Sequence, residues 1–281
     1  MLEISGTTKI FPVIGWPVEQ VKAPILFNTY FKRHGIDARV VPLKIAPDAY
    51  AAAVRMLMAV ENVGGIFVSI PHKPASVGAV DVVSARAALA GACNAIYKGP
   101  EGVVHGDLID GEGFIRAFDR TCGGAAFPWE QGRALVVGSG GVGCAVAAAL
   151  AARGIARLDV CDNRADQAAA LRSRLQAAYP GTVVGLGRPV AEGYDVVVNC
   201  TPLGMHTDDP LPIDLRGVDA ACIVADCGMK IETTRLLAEA QARGCRIQKG
   251  KEMMIEQSPL YLELFGWPGV PASAFRALEV L

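Results

Sequence analysis

The sequence carries no excess of either charge. Its 281 residues have a formal net charge of −1, so it offers no electrostatic footprint for nucleic acid or for an anionic membrane. No basic start leads into an apolar signal segment, which argues for a cytoplasmic protein. There is no Cys-x-x-Cys pair and no Cys/His cluster with zinc spacing. The eight cysteines (93, 122, 144, 161, 200, 222, 227 and 245) are scattered, several in apolar stretches where cysteine behaves as a small hydrophobe. That pattern predicts a reduced protein without disulfides or metal. Internal repeats and low-complexity tracts are also absent.

One run, "ALVVGSGGVGCAVAAALAA" at 134–152, lacks charge and is long enough to resemble a membrane span. Four glycines between Gly138 and Gly143 divide it into strand, turn and helix, so no membrane contact is expected.

What is present is enough apolar material for a core, 52% of the chain. The length suits one large or two ordinary domains at roughly 100 to 200 residues each. Strand candidates are 9–14, 38–43, 66–70, 134–138, 157–161, 182–185, 195–199, 222–226 and 245–248. Helix candidates fall between them at 23–34, 47–60, 84–90, 111–120, 142–153, 164–178, 232–243 and 252–264. This alternation predicts an α/β protein with mainly parallel sheets. "IYKGPEGVVHG" reads instead as a hairpin, because Gly99, Pro100 and Gly102 separate two short β-prone runs. The glycine-rich segment 120–133 marks the approach to a second domain.

Gly138, Gly140 and Gly143 form G-x-G-x-x-G between an apolar strand and an alanine-rich helix. The first glycine permits the tight turn, the second lets a pyrophosphate approach the backbone, and the third allows close helix–strand packing. Ser139, Gly141 and Val142 complete the loop, and the helix N-terminus presents amides to phosphates. A second strand ends in Asp162, roughly where an acid reaches the adenosine ribose. That position favours NAD. The following Asn163 and Arg164 keep NADP possible, since Arg164 could pair with a 2′-phosphate. The rival reading of the loop is an S-adenosylmethionine site.

In "SIPHKP", Pro71 and Pro74 restrict the backbone on both sides of Lys73. Lys73 is expected just past a strand, in a stiff turn. Alone, it reads as a solvated lysine closing that strand.

Several motifs together resemble the shikimate dehydrogenase family. "GWPV" at 15–18 is similar to its G-x-P-[IV], and "VSIPHK" at 68–73 to V-T-[VI]-P-x-K. "AGACNAI" at 90–96 resembles A-G-A-x-N-T, and "GDLIDG" at 106–111 resembles G-D-N-T-D-G. "NCTPLGM" at 199–205 is similar to N-A-T-P-x-G-M, and "GKEMMIEQ" at 250–257 to G-x-x-M-L-x-x-Q. The order is kept over nearly the whole chain.

The resemblance implies two domains: a substrate domain over 1–112, completed by helices in 251–281, and a Rossmann dinucleotide-binding domain over 113–250. It implies that Lys73 and Asp110 together handle the proton of a reacting hydroxyl, while Ser69, Asn94 and Gln257 contact substrate. Cys200, Thr201, Pro202, Leu203, Gly204 and Met205 would form a loop near the ribose and nicotinamide. Cys227, Gly250 and Met253 would also adjoin the cofactor. Taken singly, Asp110 also reads as a helix cap, Asn94 as a turn residue and Gln257 as a surface amide. His72 is a neighbour of the lysine, and His105 and His206 carry no role.

The departures from the family pattern fall on the substrate side. Val21 and Ala23 stand where the family has serines, Met229 where it has a tyrosine, and Phe67 where it has an asparagine. The serines and tyrosine grip a substrate carboxylate in the family, and a buried carboxylate without donors is costly. The expectation is an NAD(P)-dependent alcohol dehydrogenase acting on a small cyclic hydroxyl or keto compound other than shikimate, as a monomer or homodimer. The alternatives are a genuine shikimate or quinate dehydrogenase and an inactive NAD(P)-binding regulatory protein.

Overall fold

The structure is a computed structural model that describes residues 4–123 and 126–281. Residues 1–3, in the expected substrate domain, lie outside the described residues. So do Gly124 and Ala125, in the segment expected to open the second domain. The chain divides into two compact units: one reaches Ile109 and includes Ser258–Leu281, and the other is Asp110–Gln257.

The first unit begins with β1 (Lys9–Gly15), α1 (Ala23–Arg33), β2 (Ala38–Lys44), α2 (Tyr50–Ala59) and β3 (Gly65–Val68). It continues with β4 (Val82–Val83), α3 (Ala85–Ala90), β5 (Ala95–Lys98) and β6 (Val104–Asp107). The second contains α4 (Asp110–Cys122), β7 (Arg133–Val137), α5 (Gly141–Ala152), β8 (Arg157–Cys161), α6 (Ala165–Ala178) and β9 (Val183–Leu186). Then come β10 (Val196–Asn199), β11 (Ile223–Asp226), α7 (Arg235–Ala242) and β12 (Arg246–Gln248). The helix α8 (Gly250–Leu264) crosses from the second unit into the first, where α9 (Ala272–Arg276) follows.

In the first unit the strands run in the order β2-β1-β3-β5-β6-β4. β2, β1 and β3 are parallel, and β5 and β6 form the expected antiparallel hairpin beside β3. Strand alternation sends side chains to both faces. Ile14, Ile66, Val68 and Ile96 pack with Tyr50, Val54 and Met58 of α2 on one side. Phe67 packs on the other side among the rings of Phe27, Tyr261 and Phe265, at 4.9, 4.4 and 5.1 Å. Its place is thus in the aromatic core. The short helix α3 has clear local signals. Ser84 Oγ accepts from the Ala87 amide, and Gly91 closes the helix with φ +70°.

All strands of the second unit are parallel, in the order β12-β11-β10-β7-β8-β9. From β7 the chain winds outward through β8 and β9, then returns to β10 and winds the other way. The order therefore reverses between β7 and β10, and in such sheets ligands bind at the carboxyl ends of the strands beside that point. The charge-free run is β7 followed by α5. Among the described residues no helix is long and apolar enough to cross a membrane.

The expected elements differ from the observed ones mainly at their ends. The strand expected at 66–70 stops at Val68, and the next residues turn. The helices expected at 47–60 and 232–243 are shortened by turns at their starts. β4, of two residues, and α9, of five, are too short to show a periodicity.

Candidate active site

The glycine loop sits at the carboxyl end of β7. Gly138 has φ +101°, and a Cβ there would lie 2.9 Å from the Cys200 carbonyl. At Gly143 an added Cβ would lie 1.7 Å from Gly138 O, so the first turn of α5 presses directly on the loop. Gly140 is different: a Cβ there would meet no protein atom within 4 Å. Bare backbone therefore borders open space just where α5 begins. This geometry fits a pyrophosphate, which needs close backbone approach and the amides of a helix N-terminus.

Asp162 follows β8. Its carboxylate accepts from Ser139 N at 2.6 Å, Ser139 Oγ at 2.8 Å and Arg164 N at 2.9 Å. Burial pushes this carboxyl up, but the donors of Ser139 and Arg164 outweigh it and hold the group below the usual range. Asp162 thus braces the glycine loop. The Arg164 guanidinium, 57% exposed, meets it only at 3.5 Å.

A polar network that the sequence reading did not assign lies at the ends of β10 and β11. Asn199 Oδ1 accepts from Thr201 N and Oγ1, and its Nδ2 donates to Leu203 O and Asp226 Oδ2. Asp226 also accepts from Thr234 Oγ1 at 2.8 Å and Gly228 N at 2.8 Å. Burial pushes its carboxyl up despite those donors. The network shapes the loop 200–205: Leu203 N donates to Thr201 Oγ1, and Gly204 turns with φ +95°. Cys200 and Cys227 extend from the same strand ends. A Cβ at Gly250 would meet Gly228 O at 2.4 Å and the Cys227 carbonyl carbon at 3.0 Å, so Gly250 starts α8 against this turn. Met253 is buried and Met229 half-buried.

In the first unit, "GWPV" and "VSIPHK" leave neighbouring parallel strands side by side. Ser69 N donates to Ile14 O at 2.8 Å and Trp16 N to Ile70 O at 2.9 Å. The Trp16–Pro17 and Ile70–Pro71 peptides are both cis. His72 is buried, with Nε2 at 2.8 Å from Ile45 O and its ring stacked 4.4 Å from Tyr50. Tyr50 OH and Ser76 Oγ are 2.6 Å apart, and Ser76 Oγ donates to His72 O. Lys73, half-buried, thus extends from a loop pinned at the preceding residue. Val21 is half-buried before α1, and Ala23, its first residue, is buried.

Asn94 lies beside that loop. The Cys93 amide donates to Lys73 O at 2.9 Å, and Asn94 O accepts from Val68 N. Asn94 is fully buried; its Oδ1 accepts from Ile109 N at 3.0 Å. Its Nδ2 has no hydrogen-bond partner among the described residues. Asp107 shares the segment and is gripped by Arg86 through two bonds of 2.7 and 2.6 Å. In the second unit Asp110 is buried at the start of α4. Gln257 is buried on α8 with Oε1 unpartnered among the described residues. Its Cβ packs where Gly113 has none, 2.5 Å from the position a Cβ would take there.

Residues 13–96 match the model of the shikimate dehydrogenase substrate binding domain. The chain is 34% identical over 272 residues to a shikimate dehydrogenase (NADP(+)) of Paracoccus denitrificans (strain Pd 1222), covering 95% of both proteins. The chain belongs to the shikimate dehydrogenase family. Family members are NAD(P)-dependent oxidoreductases, and the dinucleotide loop described above is of their type. A shikimate dehydrogenase crystallised with NADP+ shares the fold with a TM-score of 0.87 at 24% identity, over 98% of this chain and 96% of that one. The 5-ketofructose reductase of Gluconobacter sp. strain CHM43 matches with a TM-score of 0.84 at 22% identity, over 98% of both chains. Likeness at these identities shows the fold alone.

Within each unit the expected residues are distributed unevenly. Ser69, Lys73 and Asn94 gather at the strand ends of the first. The glycine loop, Asp162, residues 200–205, Cys227 and Gly250 gather at the switch point of the second. The expectation of NAD is not supported: it rested on Asp162, whose oxygens already serve the loop, and the Paracoccus relative is named for NADP(+). The roles of Asn199, Asp226 and Thr234 were missed because the three meet only in the fold. The run "IVAD", a strand ending in an acid, hinted at Asp226, and Asn199 opens the motif "NCTPLGM", but neither signal paired them.

Proposed function

We propose that the chain catalyses reversible hydride transfer between NADP(H) and a secondary hydroxyl or ketone of a small cyclic substrate other than shikimate. The first unit serves as the substrate domain and the second as the dinucleotide domain. The observation that carries the reading is the buried, unpaired Asn94 amide beside the Lys73 loop. Leaving such a donor unpaired costs about 1–3 kcal/mol, and a substrate hydroxyl satisfies it. Gln257 offers a second buried amide.

Lys73 and Asp110 exchange the proton of the reacting hydroxyl, a task that suits a lysine working with a carboxylate. The His72 anchor limits the motion of Lys73 and so favours positioning. The nicotinamide, when bound, supplies or accepts the hydride. Gly138–Gly143 hold the pyrophosphate, residues 200–205 with Gly250 border the nicotinamide end, and Arg164 pairs with the 2′-phosphate. NADP is therefore the preferred dinucleotide.

The apolar Val21, Ala23 and Met229 support a substrate without shikimate's carboxylate, because an anion buried against them lacks donors. A second reading, shikimate itself, is favoured by the 34% identity to an enzyme of that name. Steady-state turnover with NADP across uncharged cyclic polyols, shikimate and quinate tests the choice. Uncharged compounds should be turned over and the two acids poorly or not at all; efficient shikimate oxidation would establish the second reading.

A further inference from the structure

We propose that Cys200 and Cys227 form a reactive dithiol, a modification site that takes a two-electron oxidant of the peroxide class and closes to a disulfide beside the dinucleotide loop. β10 and β11 are paired in parallel through Asn199 and Asp226, so the two cysteines are the next residues beyond the last strand pair. The Cys227 amide donates to Asn199 O at 3.0 Å, and the two sulfurs are 3.7 Å apart. Neighbouring strands lie about 4.7–4.9 Å apart, inside the Cα separation of roughly 4.4–6.8 Å that a disulfide spans. The strands need not part for the bond to form: turning the side chains brings the sulfurs together.

The environment separates this pair from the other thiols. Cys93, Cys122, Cys144, Cys222 and Cys245 are buried, whereas Cys161, Cys200 and Cys227 are half-buried; of these three, Cys200 and Cys227 are the two whose sulfurs face each other. Their backbone also borders glycines of the proposed cofactor site. Gly138 abuts the Cys200 carbonyl, a Cβ at Gly143 would lie 3.3 Å from Cys200 Cβ, and Gly250 abuts the Cys227 carbonyl. The hydrogen bond with Cys227, and then burial, push the Cys200 thiol well up, so Cys200 rests protonated and is the second, resolving sulfur of the pair.

The chemistry closes without any further reactant. One sulfur, as thiolate, attacks a peroxide oxygen; an S–O bond forms, the O–O bond breaks, and the released hydroxide takes a proton to become water. The resulting sulfenic acid is attacked by the second sulfur; the S–S bond forms, the S–O bond breaks, and a second water leaves. Two thiols are oxidised by two electrons and one peroxide is reduced to two waters. The new link ties loop 200–205 to the turn 227–229. In a reducing compartment such a bond is transient and reversible. Its consequence, though not its chemistry, rests on the cofactor placement proposed above: the disulfide weakens dinucleotide binding, and bound dinucleotide shields the thiols.

The test treats the whole protein with hydrogen peroxide, blocks free thiols by alkylation, and looks by mass spectrometry for a peptide pair joined through Cys200 and Cys227. The joined pair should form, should revert with dithiothreitol, and should be suppressed by prior addition of NADP. Fluorescence titration should show NADPH affinity reduced about 10-fold in the oxidised protein and restored on reduction. Cys200→Ser and Cys227→Ser should each abolish the joined pair and any peroxide-dependent change in affinity. Free alkylated thiols at both positions after peroxide, or separate sulfinic acids, overturn the proposal. A joined pair with unchanged NADPH affinity overturns its consequence. A joined pair in a protein that binds neither dinucleotide supports the disulfide and sinks the cofactor reading instead.

Discussion

Two single-methyl substitutions in the glycine loop separate cofactor binding from folding. In Gly143→Ala the new Cβ would sit 1.7 Å from the Gly138 carbonyl oxygen, whereas real Cβ contacts essentially never fall below 3.0 Å. Backbone must move, and overpacking of this kind costs about 1–3 kcal/mol, or a Tm lower by about 2–4 °C per kcal/mol. Gly140→Ala adds the same methyl where no protein atom lies within 4 Å, on a backbone with φ −72° that any residue adopts. The poorer helix cap and the less flexible unfolded chain have opposite effects, each under about 1 kcal/mol, so its Tm should scarcely change. The methyl would nevertheless stand in the space assigned to the pyrophosphate. NADPH affinity should fall at least about 10-fold, equivalent to about 1.4 kcal/mol. Thermal melts and NADPH fluorescence titrations of both variants give the answer. A Gly140→Ala protein with normal Tm and normal NADPH affinity would refute the placement of the dinucleotide.

Three further outcomes follow from the same geometry. Arg164→Ala should raise KM for NADP about 10-fold or more and leave KM for NAD nearly unchanged, because a charge-assisted bond to the 2′-phosphate contributes about 1.5–3 kcal/mol; equal effects on both cofactors would reject that contact. Val21→Ser with Ala23→Ser should raise kcat/KM for shikimate by about 10-fold, and no gain would mean the carboxylate does not bind there. Burial depresses the His72 pKa from 6.5, against an opposing bond to Ile45 O. A depressed folded pKa contributes stability above the unfolded value that is lost as pH falls through the folded one. Tm should therefore decline below about pH 6.5, and His72→Phe, which keeps a ring on Tyr50, should have a lower Tm but a flatter decline. An unchanged slope would mean that other groups set it.

The Rossmann half was legible because its signals are local. The charge-free run 134–152 can be divided only by its glycines, and β7, loop and α5 follow directly. The β5–β6 hairpin was equally plain, since glycine and proline mark its turn. β4 pairs only Val82 and Val83 with His105 and Gly106, a contact decided by tertiary packing rather than by pattern. Site residues divide along the same line. Lys73 was singled out by the prolines around it, but the clamp of His72 on Ile45 and Tyr50 joins residues 22 to 27 positions apart, which no spacing rule reveals. Asp162 is the converse case. Its position at a strand end suggested a ribose contact, while the bonds it accepts from Ser139 and Arg164 are visible only in the structure. The phenylalanine at 67 was read through the family pattern, and only packing shows its ring among Phe27, Tyr261 and Phe265.

The central claim is that Lys73, working with Asp110, moves the proton that accompanies hydride transfer. Steady-state turnover of Lys73→Ala, measured with the best substrate of the panel beside an NADPH titration, tests it most directly. Loss of general acid–base catalysis should lower kcat about 100-fold or more with NADPH affinity unchanged. Asp110→Asn should lose activity similarly, and the double variant should fall well short of the product of the two losses, because the groups act as a unit. Near-normal turnover by Lys73→Ala would contradict the account.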